Sequence, residues 1–434
     1  MRDYNSKKKT KIMKMKYFTP LILLFFTSCA TIVRQILPLE NLPLPTGQYN
    51  VGTKIYTWED SSRKEWFGEE SNKFRRIPVQ VWFPMEGGTK QLNSPYLQYP
   101  QDYIRVISAD FDIPGSFLLN VKNIRTSATI DGNPKSGLGK RPIIIFSHGL
   151  GGFKNQNTIQ MEELASHGYI IFACDHVYDA GFVRFSEDEI IYSKSFVWHF
   201  PKGTTDEEYW DTREKHLSIR SQDISFIIDQ IEKLDTIDPA LSPLCDSQNI
   251  SLMGHSFGGS TVLSTLLREK SINSCIALDA WTLPMPSHEI NQDINTSLLH
   301  LGQLSDKFWG NKNNRLKLDT LVQNNKKQSI RIRVPQTKHF DYSDFSYFTW
   351  ATKLFGITGK INREKFRLSL NKILVDYLNY ITLNKGEFSI ERVKQLYGGI
   401  SYPVGNMKVG FEVAQRSVTD YFDSNLVYSL KISF

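Results

Sequence analysis

From residue 142 onward, short wholly apolar runs alternate with longer segments of helical spacing. Residues 143–146, 169–174, 250–254, 274–278, 296–301 and 329–334 are continuous apolar or small runs, which predict strands buried on both faces. Between them, 157–167 closed by Gly168, and 213–234 with Leu217, Ile224, Ile227, Ile228 and Ile231 on one face, predict helices. Phe366, Leu370, Ile373, Leu374, Tyr377, Leu378 and Ile381 mark a last amphipathic helix, ended by Gly386. Buried strands separated by helices predict an α/β chain with a mostly parallel central sheet and helices on both faces.

The flanks follow other patterns. Residues 49–58 and 77–83 alternate as strands do, and the charged stretch 59–76 between them predicts a long hairpin loop. Residues 84–140 carry little periodicity; the apolar stretch 113–119 suits either a surface segment or part of a cap over a site. Residues 178–212 form an aromatic and charged insertion. Residues 407–413 and 427–434 alternate again, which predicts a small β-rich C-terminal extension, with too few strands to close a barrel.

Composition changes this picture at one end. The chain has 434 residues, 40% hydrophobic and 22% charged, and a net charge of +7. Residues 1–16 hold seven Lys/Arg and one Asp, so nearly all of that excess is local and no nucleic-acid partner is expected. The apolar run 17–26 and the small pair Thr27-Ser28 follow, then Cys29, which together predict a secretory signal. The run is too short to span a bilayer, which needs about 20 residues. Cys29 after a small pair resembles a bacterial lipobox, with Phe26 where that motif more often has Leu. A lipidated Cys29 would tether the protein to a membrane surface of the cell envelope; an ordinary cleaved signal is the alternative, and a start at Met13 or Met15 would give a more compact signal. The Pro-rich stretch behind it reads as a tether. The domain plan is therefore 1–28 signal peptide, 29–46 tether, 47–385 main α/β domain and 386–434 extension. Cys174, Cys245 and Cys275 are too few and too scattered for a disulfide framework or a metal site. No cofactor and no metal are expected.

The chemistry centres on Gly254-His255-Ser256-Phe257-Gly258-Gly259. A strand before and a helix after this G-x-S-x-G fit a nucleophile elbow, although small residues also make plain turns. A serine hydroxyl needs a base, and the base needs an orienting acid. In the chain order Ser, acid, His, the acid should follow the next strand, and Asp279 stands there, also suited to a turn. Trp281 is placed to wall the pocket. The base should follow the last strand, and His339 does. His300 lies inside a strand and reads as a satisfied core histidine. Two backbone N–H groups must meet the developing oxyanion. Phe257, after the serine, is one candidate, and Leu150 in Ser147-His148-Gly149-Leu150-Gly151-Gly152 is the other. His148 is expected to shape that loop.

Phe146 to Gly152, Gly254 to Gly259, Leu278-Asp279-Ala280-Trp281 and His339-x-x-x-x-Asp344-Phe345 occur in this order. Together they resemble the plasma-type platelet-activating factor acetylhydrolases and their bacterial relatives over roughly residues 47–385. The resemblance implies an α/β-hydrolase fold and calcium-independent cleavage of short or oxidised sn-2 acyl groups from phospholipids. It implies Ser256, Asp279 and His339 as the triad and Leu150 and Phe257 as oxyanion donors. Lys338 and Phe340 around the histidine, the 178–212 insertion and the tail depart from the family and bear on acyl and head-group preference. The alternatives are a general short-chain carboxylesterase of dienelactone-hydrolase-like type and a lipid-anchored binding protein that has lost catalysis.

Overall fold

The computed structural model describes residues 42–67, 72–87, 93–111, 115, 118–193, 200–309, 312–348, 351–354, 356–386, 388, 410–413 and 428–433. The predicted signal peptide, Cys29 and the tether up to residue 41 lie outside the described residues.

The strands are β1 (Asn50–Lys64), β2 (Phe74–Met85), β3 (Asn93–Pro95), β4 (Arg125–Ile130), β5 (Arg141–Ser147), β6 (Ile170–Cys174), β7 (Phe182–Arg184), β8 (Ile190–Tyr192), β9 (Cys245–His255), β10 (Ile272–Leu278), β11 (Ser297–Gln303), β12 (Ser329–Val334), β13 (Gly410–Val413) and β14 (Tyr428–Ser433). Twelve of them form one sheet in the order β13-β14-β12-β11-β10-β9-β5-β6-β2-β1-β4-β3, and β7 and β8 make a separate hairpin. From β6 through β5, β9, β10, β11 and β12 to β14 every pairing is parallel. The sheet turns antiparallel at β2 and β1. The two tail strands extend the sheet edge beside β12 rather than standing apart.

The longer helices are α1 (Pro100–Phe111), α2 (Thr158–Ser166), α3 (Asp206–Glu232), α4 (Phe257–Arg268), α5 (Asn313–Gln323) and α6 (Arg363–Leu383). Alternation along the buried strands feeds two cores. Ile143, Ile145, Leu252, Cys275 and Ala277 pack on one face with the apolar sides of α3 and α4. Ile144, Phe146, Met253, Ile276 and Leu278 pack on the other with Met161 and Leu164 of α2 and Leu370, Ile373 and Leu374 of α6. A strand whose two faces are both covered has no polar alternate positions, which is why these runs are continuous rather than alternating.

Several expectations need correction. Half of the charged stretch 59–76 is strand: β1 runs to Lys64 and β2 starts at Phe74. Several of its charges are paired, with Arg75 buried between Glu65 (2.7 Å) and Asp223 (2.6 Å). Helix α3 starts at Asp206, seven residues before the expected Arg213, because Thr205 and Glu208 form a capping box. The αL residue ending α6 is Asn384, ahead of the expected Gly386. His300 is buried as expected, but its Nδ1 has no hydrogen-bond partner among the described residues. Burial holds its pKa well below the usual range, so the ring stays neutral. Of the stretch 113–119 only Gly115 and Leu118 are described; Leu118 packs in a third cluster with Tyr103 and Ile107 of α1, Phe153 and Phe348, over the C-terminal edge of the sheet.

Helix α2 also clamps β4, the strand next to the sheet edge. The Glu162 carboxylate, fully buried, accepts the N–H groups of Ser127 (3.0 Å) and Ala128 (2.7 Å). Burial outweighs these bonds and pushes its pKa from 4.5 up to about 7. The folded chain thus keeps a proton that the unfolded chain releases, and this group's contribution to stability is lost as pH rises from 4.5 through about 7. The loss is on the order of 3 kcal/mol. In Glu162→Gln, the melting temperature relative to wild type is expected to rise between pH 5 and pH 8. A difference that stays constant across that range would refute the assignment.

Candidate active site

Ser256 sits between the end of β9 and the start of α4 with φ 59° and ψ −120°, a backbone conformation that side chains other than glycine rarely adopt. Two bonds hold it there. Its N–H donates to Leu278 O (2.9 Å), and its carbonyl accepts the Trp281 N–H (2.9 Å). The elbow is thus fastened to the end of β10. The neighbouring glycines are required by contact. A Cβ on Gly258 would lie 1.9 Å from Ser147 O, and one on Gly254 would lie 2.1 Å from Gly258 O. Helix α4 therefore starts hard against the end of β5.

The parallel register puts the other candidates at the same sheet edge. Leu278 pairs with His255 on one side and Leu301 on the other, so Asp279 leaves β10 level with the elbow. Asp279 Oδ2 accepts the His339 Nδ1–H at 2.7 Å, and both residues are buried. Gln303, the last residue of β11, donates to the same carboxylate twice, from its N–H to Oδ1 (3.0 Å) and from Nε2 to Oδ2 (2.8 Å). The acid is therefore fixed in both rotation and tilt before it meets the imidazole. Bonding at Nδ1 leaves His339 Nε2 as the ring's free basic position in the neutral form. His339 and Ser256 line one cavity. Asp341 steadies the histidine loop, with Oδ2 accepting the N–H groups of Lys338 and Gly359, both at 2.7 Å.

Leu150 and Phe257 also come to this place. Phe257 opens α4, so its N–H belongs to a first turn that has no intrahelical acceptor. Leu150 lines the cavity, and the preceding Gly149 lies so close that a Cβ there would be 3.2 Å from Ser256 Cβ. His148 shapes the loop, as expected: Nδ1 donates to Gly149 O (2.6 Å) and Nε2 accepts the His176 N–H (3.2 Å). Burial, with Arg220 nearby, keeps His148 neutral.

Sequence reasoning missed the residues that join these parts. Gln156 Oε1 accepts the Gly149 N–H (2.9 Å), and its Nε2 donates to His255 Nδ1 (2.5 Å). His255 Nε2 then donates to His339 O (3.1 Å). One glutamine and one neutral histidine thereby connect the glycine-rich loop to the backbone of His339. Gln303 carried a faint signal, standing at the end of the strand after Asp279. Gln156 carried none.

The cavity has a volume of about 370 Å³. Its aromatic walls are Tyr96, Tyr103, Phe153, Trp281, Phe308, Trp309, Phe340, Phe345 and Phe348, and among the described residues no Asp, Glu, Lys or Arg lines it. Trp281 is a wall, as expected. Phe308, half exposed, stacks on His339 with ring centroids 4.2 Å apart. Tyr103 and Ile107 come from α1, so the unpatterned region before β5 supplies part of the roof. Among the described residues, no group of three or more His, Cys, Asp or Glu is placed to hold a metal, and no helix is long and apolar enough to cross a membrane.

A model of the family described as platelet-activating factor acetylhydrolase, isoform II, matches residues 37–390. The chain belongs to this family. It is 26% identical over 367 residues to the platelet-activating factor acetylhydrolase of Cavia porcellus, covering 79% of each chain. It is 26% identical over 249 residues to a probable 1-alkyl-2-acetylglycerophosphocholine esterase of Arthroderma benhamiae, covering 55% of this chain and 58% of the relative. A ferulic acid esterase from Streptomyces cinnamoneus superposes with a TM-score of 0.64 at 20% identity, covering 80% of this chain and 94% of the esterase, which establishes the α/β-hydrolase fold. As a member of the family the chain is a carboxylic ester hydrolase.

Gly258→Ala tests the tight contact between α4 and β5. With Ser147 O in the way, the substitution should destabilise the fold by about 2–4 kcal/mol. A denaturation midpoint equal to wild type would show that α4 is free to move away.

Proposed function

We propose that the protein hydrolyses esters through Ser256, Asp279 and His339, and that its substrates are phospholipids with a short or oxidised sn-2 acyl group. The observation that carries the triad is the Asp279–His339 bond at 2.7 Å, buried beside a serine raised on a strained elbow. His339 takes the Ser256 proton as the hydroxyl attacks the ester carbonyl. The N–H groups of Leu150 and Phe257 receive the oxyanion. His339 next protonates the leaving alcohol, and water repeats the sequence on the acyl-enzyme. Asp279, held by Gln303, keeps the imidazole in the tautomer with its proton on Nδ1. The phospholipid reading rests on family membership. A lipid anchor on Cys29, outside the described residues, would bring this site to a membrane surface of the cell envelope.

A second reading, a short-chain carboxylesterase without phospholipid preference, draws support from the cavity. Its aromatic lining suits the acyl and neighbouring apolar parts of an ester, and among the described residues it offers no counter-ion to a phosphate or a choline. A head group would have to lie outside it.

Ser256→Ala should lower kcat by about 10⁴–10⁶, and Asp279→Asn by about 10⁴. Turnover of a 4-nitrophenyl ester within about tenfold of wild type in either variant would remove that residue from the triad. To choose between the two readings, kcat/KM for a short-acyl phosphatidylcholine is compared with that for a soluble acetyl ester. An advantage of about tenfold or more for the lipid, about 1.4 kcal/mol in transition-state binding, is expected; parity would favour the carboxylesterase. Mass spectrometry of the native protein checks the anchor, and an unmodified N-terminus elsewhere than Cys29 would discard it.

A further inference from the structure

Behind the glycine-rich loop lies a buried polar network that the mechanism above does not use. Its centre is Arg220, on the face of α3 turned to the sheet and 1% exposed. Its Nη2 donates to Ser147 Oγ (3.1 Å) and to His148 O, and its Nη1 donates to Asp179 Oδ2 (3.0 Å). Asp179 Oδ1 in turn accepts the Gly151 N–H (3.3 Å). The guanidinium also lies over the Phe257 ring, 4.7 Å from its centroid. Ser147 Oγ donates to His176 Nε2 (2.9 Å), and His176 Nδ1 donates to Asp223 (2.9 Å), so the serine is not free to release the arginine.

These contacts share one property. Leu150 is bracketed by bonds at residues 148 and 151, and Phe257 is touched directly. Both peptide segments assigned the oxyanion N–H groups thus rest on one guanidinium. We propose that Arg220 is the positioning residue of the oxyanion hole, setting the separation between the Leu150 and Phe257 N–H groups through His148 O, Asp179 and the Phe257 ring. The inference rests on the Ser-Asp-His reading above. An arginine suits the task because its planar fork reaches several acceptors at fixed angles, which an ammonium group does not. The charge is matched: despite burial, Arg220 holds the Asp179 pKa down to about 2, so the pair stays ionised over the working pH range.

Arg220→Lys keeps the charge and loses the fork, and Asp179→Asn keeps the shape and weakens the bracket at Gly151. Sites are first counted with a fluorophosphonate that labels Ser256, so that every rate is per folded, labelled site. Both variants should then lose kcat on a 4-nitrophenyl ester, by about 10²–10³ for Arg220→Lys, with KM within about threefold of wild type. Affinity for a trifluoromethyl ketone, which forms a tetrahedral adduct on the serine, should fall in parallel with kcat/KM. A role confined to folding would lower the number of labelled sites and leave kcat per site and the ketone affinity alone. Wild-type kcat per site in either variant, or a kcat loss with unchanged ketone affinity, would overturn the proposal. A wild-type protein whose Ser256 takes no label would instead overturn the triad.

Discussion

Helix α4 enters the site only because the residues that meet β5 carry no side chain. The contact between Gly258 and Ser147 O draws the first turn of the helix down to the end of the strand. That contact gives Ser256 its strained backbone and opens its hydroxyl to the cavity. It also sets the first-turn N–H of Phe257 opposite the glycine-rich loop. Every other part of the site is placed relative to this junction. The acid arrives through the register between β9 and β10, and the base through the loop after β12.

Around the junction the protein spends buried polar groups unusually freely. Burying charge is tolerated where each group is paired and hydrogen-bonded. Arg75 with Glu65 and Asp223, and Arg220 with Asp179, meet that condition. The neutral histidines serve as rigid two-ended connectors. His255 receives a bond from Gln156 and gives one to His339 O; His176 receives one from Ser147 and gives one to Asp223. Burial lowers the pKa of both, to about 3 for His255 and about 4 for His176, so each keeps one donor and one acceptor as the solution pH varies. A loop made largely of glycine has little stiffness of its own, and these connectors supply it.

The cavity contrasts with this polar layer. Its walls come from five separate places: the turn before α1 and α1 itself, the glycine-rich loop, the segment after β10 with Trp281, the segment after β11, and the loop after His339. An apolar enclosure strengthens the electrostatic interactions at its polar end by excluding water. The apolar enclosure is thereby built by loops, and the polar end of the site by residues at strand ends.

How much of this was legible in the sequence follows from the range of each interaction. The apolar runs on 143–146 and 274–278 announced buried strands, because covering both faces of a sheet leaves no polar alternate. The G-x-S-x-G turn was readable, because its glycines are demanded by a clash within a few residues. Chain order then pointed to Asp279 and His339, since each follows its own strand. The capping box at Thr205 and Glu208 is legible in the sequence and sets the start of α3 seven residues ahead of where the apolar spacing begins. Other features had no local signature. Glu65, Arg75 and Asp223 look like ordinary surface charges until the sheet and α3 enclose them together. Gln156, Gln303 and Arg220 act through partners 7, 24 and 73 residues away, as with Gly149, Asp279 and Ser147. The aromatic enclosure likewise joins Tyr96 to Phe348, residues that only the closed fold makes neighbours. Periodicity and turn chemistry encode what a residue must do for its own segment. Which distant group a polar side chain will meet is decided when the sheet register and helix packing bring the two together.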